Sequence, residues 1–450
     1  MMRNFRYVLF LLALAAPGSA SALAQGAARA PELTSKRLLN DLHITVASTP
    51  HLGDGMTMGL VVRYGATYDP ADKWGLAHLV SRMFLKATND RTQKDIQSEM
   101  AYLGVTIEVQ CDWDGFRFIL KGRSSRFERA LLLLQQVVAE ARFIESDFNA
   151  VKQSILKDLQ KPGDSRSRLR AQLDSVLFSG TPYGRPLEGT PASLSAITLG
   201  DVRYFYRRYF SPHQASLQIV GDVSPALVLQ KATRIWGIWV RVDDIPFTFK
   251  QPRVPAGRQI FLEDDLGSPA AQFIVASLFP RREDPAYANC LLAGRVFQER
   301  LTRLLPTSLV TVSSEGRRMA SPFLVQGQSA ANQAVDQIQK VQLAAEEMKI
   351  DPVSDEELQA AQKQVIEEFN RGLNSTDGLC NLMLDAELYH LGSNYAALFP
   401  DQVRRCDAET IKQAAKSWLF PGGEIVLMRG PTDVLKPLLE TLGAVQPMPR

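Results

Sequence analysis

With 450 residues, 45% of them hydrophobic and 22% charged, the chain can bury the cores of roughly two to four domains and has an ordinary globular composition. Its formal net charge of +3 carries no long basic run. Pairs such as Arg207-Arg208, Arg281-Arg282 and Arg317-Arg318 stand alone and read as solvated faces, so nucleic acid and an anionic membrane surface are excluded as charge-driven partners.

The N-terminus has the three parts of a secretory signal. Met1–Arg6 is basic, Tyr7–Pro17 is apolar, and Ala22-Leu23-Ala24 is an A-x-A cleavage site before Gln25. The apolar run is shorter than the ~20 residues a membrane helix needs, and no later stretch approaches that length. Residues 1–24 therefore read as a signal peptide of the bacterial export type, and the expected location is the periplasm; an uncleaved N-terminal anchor is the alternative. Removal of that segment leaves 49 basic against 48 acidic side chains. Cys111, Cys290, Cys380 and Cys406 include no C-x-x-C pair, which excludes a thioredoxin motif and a zinc ribbon. Cys380 and Cys406 flank one helical hairpin and form the pair to check for a disulfide, with unpaired buried thiols as the alternative.

In chain order, Ala27–Ser35 reads as a short flexible lead-in. Leu39–Ala47 and Met56–Tyr64 alternate apolar and polar residues and predict two strands. Asp69-Pro70 closes the second, and Trp74–Leu85 predicts an amphipathic helix. A helix over Thr92–Leu103 ends at Gly104 in the C′ position. Val105–Gln110 and Gly115–Lys121 predict a hairpin around Asp112-Trp113-Asp114. Helices follow over Arg126–Ala141, Glu145–Gln160, Ser167–Phe178 and Leu199–Tyr209. A strand at Ala215–Gly221 and a helix at Ser224–Trp236 complete the first half. The Pro-rich polar stretch Asp243–Arg258 reads as an interdomain linker.

Beyond the linker the order of elements returns. Asp284-Pro285 echoes Asp69-Pro70, Gly327 echoes Gly122, the helix from Asp355 echoes that from Glu145, and Gly430 echoes Gly221. The offsets are 215, 205, 210 and 209 residues, which argues for one duplicated domain and against a short solenoid repeat. Each copy predicts an α+β domain, an antiparallel-rich sheet with helices packed on one face. The expected domains span residues 36–242 and 259–450, with the linker at 243–258.

The most informative stretch is Gly75–Thr88. Gly75, Leu76, Ala77, His78, Met83, Lys86 and Thr88 match a frame that resembles the signature helix of the pitrilysin/insulinase family of zinc metallopeptidases, the inverted zincins. The chemistry of that helix is missing. Where the family carries H-x-x-E-H, this chain reads His78-Leu79-Val80-Ser81-Arg82. In the motif, two imidazoles four residues apart bind zinc and the Glu serves as general base. Ser81 has no basicity near neutral pH, and the guanidinium of Arg82 has no lone pair for a metal. The resemblance places the third zinc ligand, a Glu in the family, at Asp158. His78, Ser81, Arg82 and Asp158 are thus the vestigial zinc-site positions; Asp158 reads first as a simple solvated helix residue, and an Arg82–Asp158 ion pair filling the metal site is the alternative. No cofactor is expected, zinc belonging to the active family members.

Further segments carry the resemblance across nearly all of the mature chain. Thr181-Pro182-Tyr183-Gly184-Arg185-Pro186 with Gly189-Thr190 is similar to a family loop, and Asp201–Pro212 with Val220-Gly221-Asp222 to a later region. The resemblance implies two homologous α/β-roll domains facing each other across a chamber. It also implies a peptide-binding edge strand, where Glu108-Val109 replaces the family's Asn-Ala. The Arg and Tyr that stabilise the reacting carbonyl's charge in the second half fall near Arg303 and Val310, in a shortened segment.

The resulting expectation is a pseudo-enzyme. As a non-catalytic subunit it would partner an active peptidase of the same family in a periplasmic heterodimer for peptide degradation or processing. The alternatives are a stand-alone peptide-binding or assembly scaffold and a peptidase with a rebuilt zinc site.

Overall fold

The computed structural model describes residues 31–161, 165–265, 267–306 and 308–448, so the expected signal peptide lies outside the described residues. Leu33–Arg37 (β1), His43–Ser48 (β2), Gly55–Val62 (β3), Thr106–Cys111 (β4), Phe116–Arg123 (β5) and Ala215–Gly221 (β6) form one sheet, ordered β1-β2-β6-β3-β5-β4. Gln259–Asp264 (β7), Ala270–Phe279 (β8), Thr311–Ser314 (β9), Ser321–Ala330 (β10), Ile425–Gly430 (β11) and Val445–Pro447 (β12) form a second, ordered β12-β7-β11-β8-β10-β9. Five strands correspond in the two orders, and the parallel pair β2–β6 recurs as β7–β11. The sixth differs. The first sheet ends on β1, antiparallel to β2, whereas the second ends on β12, parallel to β7. The lead-in expected at Ala27–Ser35 thus already contains the start of an edge strand.

The first half carries helices Leu76–Met83 (α1), Gln93–Leu103 (α2), Phe127–Ala139 (α3), Glu145–Gln160 (α4), Ser165–Leu177 (α5), Pro191–Ala196 (α6), Leu199–Tyr209 (α7) and Pro225–Trp236 (α8). The second carries Tyr287–Leu304 (α9), Ala334–Ile350 (α10), Asp355–Leu373 (α11), Thr376–Leu388 (α12), Tyr395–Arg405 (α13), Ala408–Trp418 (α14) and Thr432–Leu439 (α15). Local chemistry sets the ends. Thr92 and Thr198 close capping boxes on α2 and α7, and Gly104 at φ 63° ends α2. α1 stops two residues before the predicted Leu85. Phe84 leaves the helix to pack edge-on against Phe118, 4.8 Å between ring centroids, and Leu85 takes a left-handed φ of 68°.

Strand alternation divides each sheet into two apolar faces. On one face of the first sheet Ile44, Val46, Met58, Leu60, Phe116 and Phe118 pack beneath helices of the same half. Ile260, Phe273, Val275, Phe323 and Met428 do the same in the second. The opposite faces are covered reciprocally. α12, from the second half, lays Leu379, Cys380, Met383, Leu384 and Leu388 on Ala47, Val61, Ile119 and Val220 of the first sheet. α5, from the first half, lays Leu169, Leu173 and Leu177 on Ile274, Ala276, Leu324 and Leu427 of the second. These two helices begin 211 residues apart, the spacing of the repeat. Gly59 lets α12 approach, because a Cβ there would lie 2.6 Å from Leu384 and 2.7 Å from the Cys380 Sγ. Each large apolar side chain buried in this way contributes about 1.5–3 kcal/mol.

Among the described residues, therefore, no open chamber separates the second faces of the two sheets. The second face of each is filled by the other half's helix. Residues 243–258 contain neither helix nor strand, and Phe247 and Phe249 pack against clusters of both halves. The four cysteines are free thiols. Cys380 belongs to the layer between α12 and the first sheet and Cys406 to the second half's own core, so the pair is not a disulfide.

Candidate functional site

The position of α1 follows from its N-terminus. Gly75 has φ 89°, and a Cβ on it would meet the Glu188 carbonyl oxygen at 2.7 Å. The buried Asp69 carboxylate accepts from the Gly75 and Ala77 N–H groups, each at 2.9 Å. α1 packs against α4, α7 and β4, which sets its inner face against the first sheet.

On that frame the structure brings together His78, Ser81, Arg82 and Asp158. His78 is 4% exposed, and burial, together with the Arg82 guanidinium, pushes its pKa down to about 4, so the imidazole is neutral. Ser81 is buried and its hydroxyl donates to the His78 carbonyl oxygen at 2.7 Å. Arg82, one turn beyond His78, lies 3.8 Å from the Asp158 carboxylate on α4. Asp158 also pairs with Lys161. The nearby Glu188 carboxyl is raised above its ordinary range by burial, an effect opposed by Arg82.

A zinc ion does not fit this set. A structural site needs four protein ligands and a catalytic one three. Here one neutral imidazole stands beside a guanidinium, and the carboxylate is engaged by two cations. Among the described residues no group of three His, Cys, Asp or Glu side chains is placed to hold a metal. The Ser81 hydroxyl is committed to a backbone carbonyl and cannot act as a base.

The sheet order ends at β4, so its outer edge has no strand neighbour among the described residues. Glu108 is exposed on it and accepts from the Gln110 amide at 2.9 Å, while Val109 packs against the first core. Arg303 and Val310 are otherwise placed. Arg303 and Arg300 both bind Glu357, at 3.1 and 2.8 Å, and Val310 is 7% exposed in the second core. α9 ends at Leu304, just before Pro306.

Two features escape a reading of the sequence. One is the Asp69 cap, for which Asp69-Pro70 signalled only a turn. The other is the seam built on the Pro182–Pro186 loop. The Tyr183 hydroxyl donates to Asp114 and accepts from the Arg318 and Met319 N–H groups, each at 3.1 Å. The Arg317 guanidinium lies 4.4 Å from the Trp113 ring centroid and binds Asp174 at 3.3 Å and Glu315 at 3.0 Å. The motif Asp112-Trp113-Asp114 and the Tyr of the loop were visible, but their partner 204 residues away from Asp114 was not.

Fold and site together define a two-domain α+β body of the zinc-peptidase class, with His78-Leu79-Val80-Ser81-Arg82 on α1. The description "Insulinase (Peptidase family M16)" matches residues 45–191 and "Peptidase M16 inactive domain" matches residues 196–365, the second crossing the linker. The chain belongs to peptidase family M16, the pitrilysin/insulinase family.

Curated relatives are distant. A probable mitochondrial-processing peptidase subunit beta of Arabidopsis thaliana is 23% identical over 254 residues, 55% of this chain and 47% of that one. An uncharacterized zinc protease of Rickettsia felis is 22% identical over 44% of this chain and 48% of its own length. Cytochrome b-c1 complex subunit 1 of Bos taurus is 23% identical over 59% and 54%. The match thus spans about half the length of these relatives. Among solved structures, a protease from Helicobacter pylori aligns with TM-score 0.81 and 15% identity over 89% of this chain and all of its own. The periplasmic protease PqqL from Escherichia coli aligns with TM-score 0.74 and 14% identity, covering 94% of this chain and 49% of its own. These likenesses establish the fold. Among the described residues no helix is long and apolar enough to cross a membrane.

Proposed function

We propose that this chain is a non-catalytic subunit of a family M16 peptidase assembly in the bacterial periplasm, partnering a chain that retains H-x-x-E-H. The observation that carries this reading is Arg82 beside Asp158 where the family holds its metal, within a fold otherwise retained. Two relatives, by name, are subunits, which supports partnering, and the signal-like N-terminus with a periplasmic structural neighbour supports the location. The chain would contribute wall and interface to the assembly, bind no zinc of its own, and offer the outer edge of β4 to an extended peptide by β-augmentation.

The test is mild affinity purification of the mature chain from its native periplasm, with bound chains identified by mass and the complex assayed for zinc and peptide cleavage. Recovery of an H-x-x-E-H chain in equal amount, with activity only in the complex, is the expected result. Recovery of this chain alone, metal-free and inert, would overturn it and favour a stand-alone peptide-binding scaffold, a role the open β4 edge would also serve. Stoichiometric zinc and chelator-sensitive turnover, both lost in His78→Ala, would instead establish a rebuilt site.

A further inference from the structure

Three large aliphatic side chains stand in solvent at one end of the first sheet. Leu39, in the turn between β1 and β2, is fully exposed (107%), and Ile238 and Val240, just past α8, are 69% and 75% exposed. Hydrogen bonds join the two segments. The Asn40 amide donates to the Trp236 and Trp239 carbonyl oxygens at 2.9 and 3.0 Å, and the Lys36 Nζ donates to the Thr233 hydroxyl at 3.1 Å. Asp41 pairs with Arg241. Residues 39–41 therefore run alongside residues 238–241, and the three aliphatic side chains share one patch.

The patch is rigid. A tight turn ordinarily carries polar residues at its tip. Here the Leu38 N–H donates to the Leu42 carbonyl oxygen at 2.9 Å, the Asn40 Oδ1 accepts from the Leu42 N–H at 3.3 Å, and Asp41 takes a left-handed φ of 68°, which fixes the turn with Leu39 outside. In the other segment Trp236 and Trp239 are buried, their ring centroids 5.6 Å apart, and hold the chain that presents Ile238 and Val240. Its chemistry selects the occupant. Three aliphatic side chains cover far less than the ~800 Å² per partner of a stable protein–protein contact, which argues against a second copy. Protein hot spots are rich in Trp, Tyr and Arg and poor in Leu and Val, and both Trp side chains here are buried. A bilayer takes aliphatic groups at its acyl boundary with cations at headgroup level. Lys36 and the exposed Arg234 stand beside the patch, and Asp41, the acid of the turn, is neutralised by Arg241. The two cations come from β1 and α8, far apart in the chain, so no basic run marks them in the sequence.

We infer that this patch is a peripheral membrane-docking site, in which Leu39, Ile238 and Val240 enter the acyl boundary of a phospholipid bilayer and Lys36 and Arg234 meet its phosphate groups. Apolar burial drives the docking, so it differs from the charge-driven attachment that composition excludes. The export expected from residues 1–24 would set the chain between two bilayers. The inference does not depend on a peptidase partner.

The test is sedimentation of the purified mature chain with sucrose-loaded vesicles of phosphatidylethanolamine and phosphatidylglycerol. Saturable co-sedimentation is expected, largely retained in high salt. Leu39→Ser, Ile238→Ser and Val240→Ser should each lower the partition coefficient by about tenfold, with a Tm near that of the parent chain because the positions are exposed. Lys36→Gln combined with Arg234→Gln should lower it by about tenfold at low salt and by less at high salt. Absence of co-sedimentation, or equal partition of the triple serine variant and its parent, would overturn the assignment. A dimer on size exclusion that the triple variant dissolves would overturn it in favour of a second copy. Loss of a co-purified chain from that variant, with vesicle binding unchanged, would overturn it in favour of a protein partner.

Discussion

Arg82 and Asp158 stand 3.8 Å apart on two helices, at the two positions the family resemblance assigns to zinc ligands, with side chains 31% and 39% exposed. At that distance and exposure the pair is screened, and exposed ion pairs contribute about 0–1 kcal/mol. The fold around it is set by the Asp69 cap and the packing of α1. Arg82→Gln is therefore expected to lower stability by less than about 1 kcal/mol, measured by urea unfolding. A loss above about 2 kcal/mol would mean that the ion pair cross-links the helices as a metal would.

Restoring the ligand chemistry should restore metal binding. The backbone of α1 already presents His78 and position 82 one turn apart on one face. The triple variant Ser81→Glu, Arg82→His, Asp158→Glu is expected to bind one zinc per chain in a metal-release assay, and the parent chain none. A parent chain that retains stoichiometric zinc through dialysis would contradict the ligand argument. Removing the guanidinium also removes one of the two causes that hold the His78 pKa down.

How much of this was legible from the residues depends on range. The residues standing in the H-x-x-E-H frame were readable at His78, Ser81 and Arg82 because the motif lies within one helical turn, and the family's spacing pointed to Asp158, which the fold places beside Arg82. Gly104 was readable as the end of α2 for the same local reason, whereas Thr92, read as the first helical residue, is its N-cap. The exchange of α5 and α12 was not. α5 was readable as a helix over Ser167–Phe178 while α12 was not read, and nothing in Leu169, Leu173 and Leu177 states that the sheet they cover belongs to the other half. Tyr183 and Asp114 were similarly opaque, since hydrogen bonds to the Arg318 and Met319 backbone leave no mark on composition.

The reciprocal helices make a prediction of their own. A site-specific protease sequence inserted within residues 243–258 of the full chain should allow cutting without separation of the halves. After cleavage the fragments are expected to co-elute on size exclusion and melt in a single transition. Leu384→Ala, at a fully buried position on α12, should cost about 2–5 kcal/mol and weaken that association. Separation of the fragments at neutral pH and moderate salt would show that the covered faces do not hold the halves together.

The remaining prediction concerns acid. His78 is neutral in the fold, with its pKa lowered from 6.5 to about 4, so the unfolded chain binds a proton at a pH where the folded chain does not. The stabilisation from keeping it neutral is therefore present above about pH 6.5 and is lost as pH falls toward 4. The full shift corresponds to about 3 kcal/mol, each pKa unit being ~1.4 kcal/mol. Two other buried groups act in the opposite sense over part of the same range. Burial raises Asp69 to about 7, and burial with the nearby Asp112 raises Asp114 to about 6, so both favour the protonated fold as pH falls. The net pH profile of the parent chain is accordingly flattened, and the His78 contribution emerges only by difference. Urea unfolding of the parent chain and of His78→Gln at pH 7 and pH 5 isolates it. The stability gap between the two chains should narrow at pH 5, because only the parent chain carries the titrating imidazole. A gap that stays constant would mean that His78 titrates alike in the folded and unfolded chains.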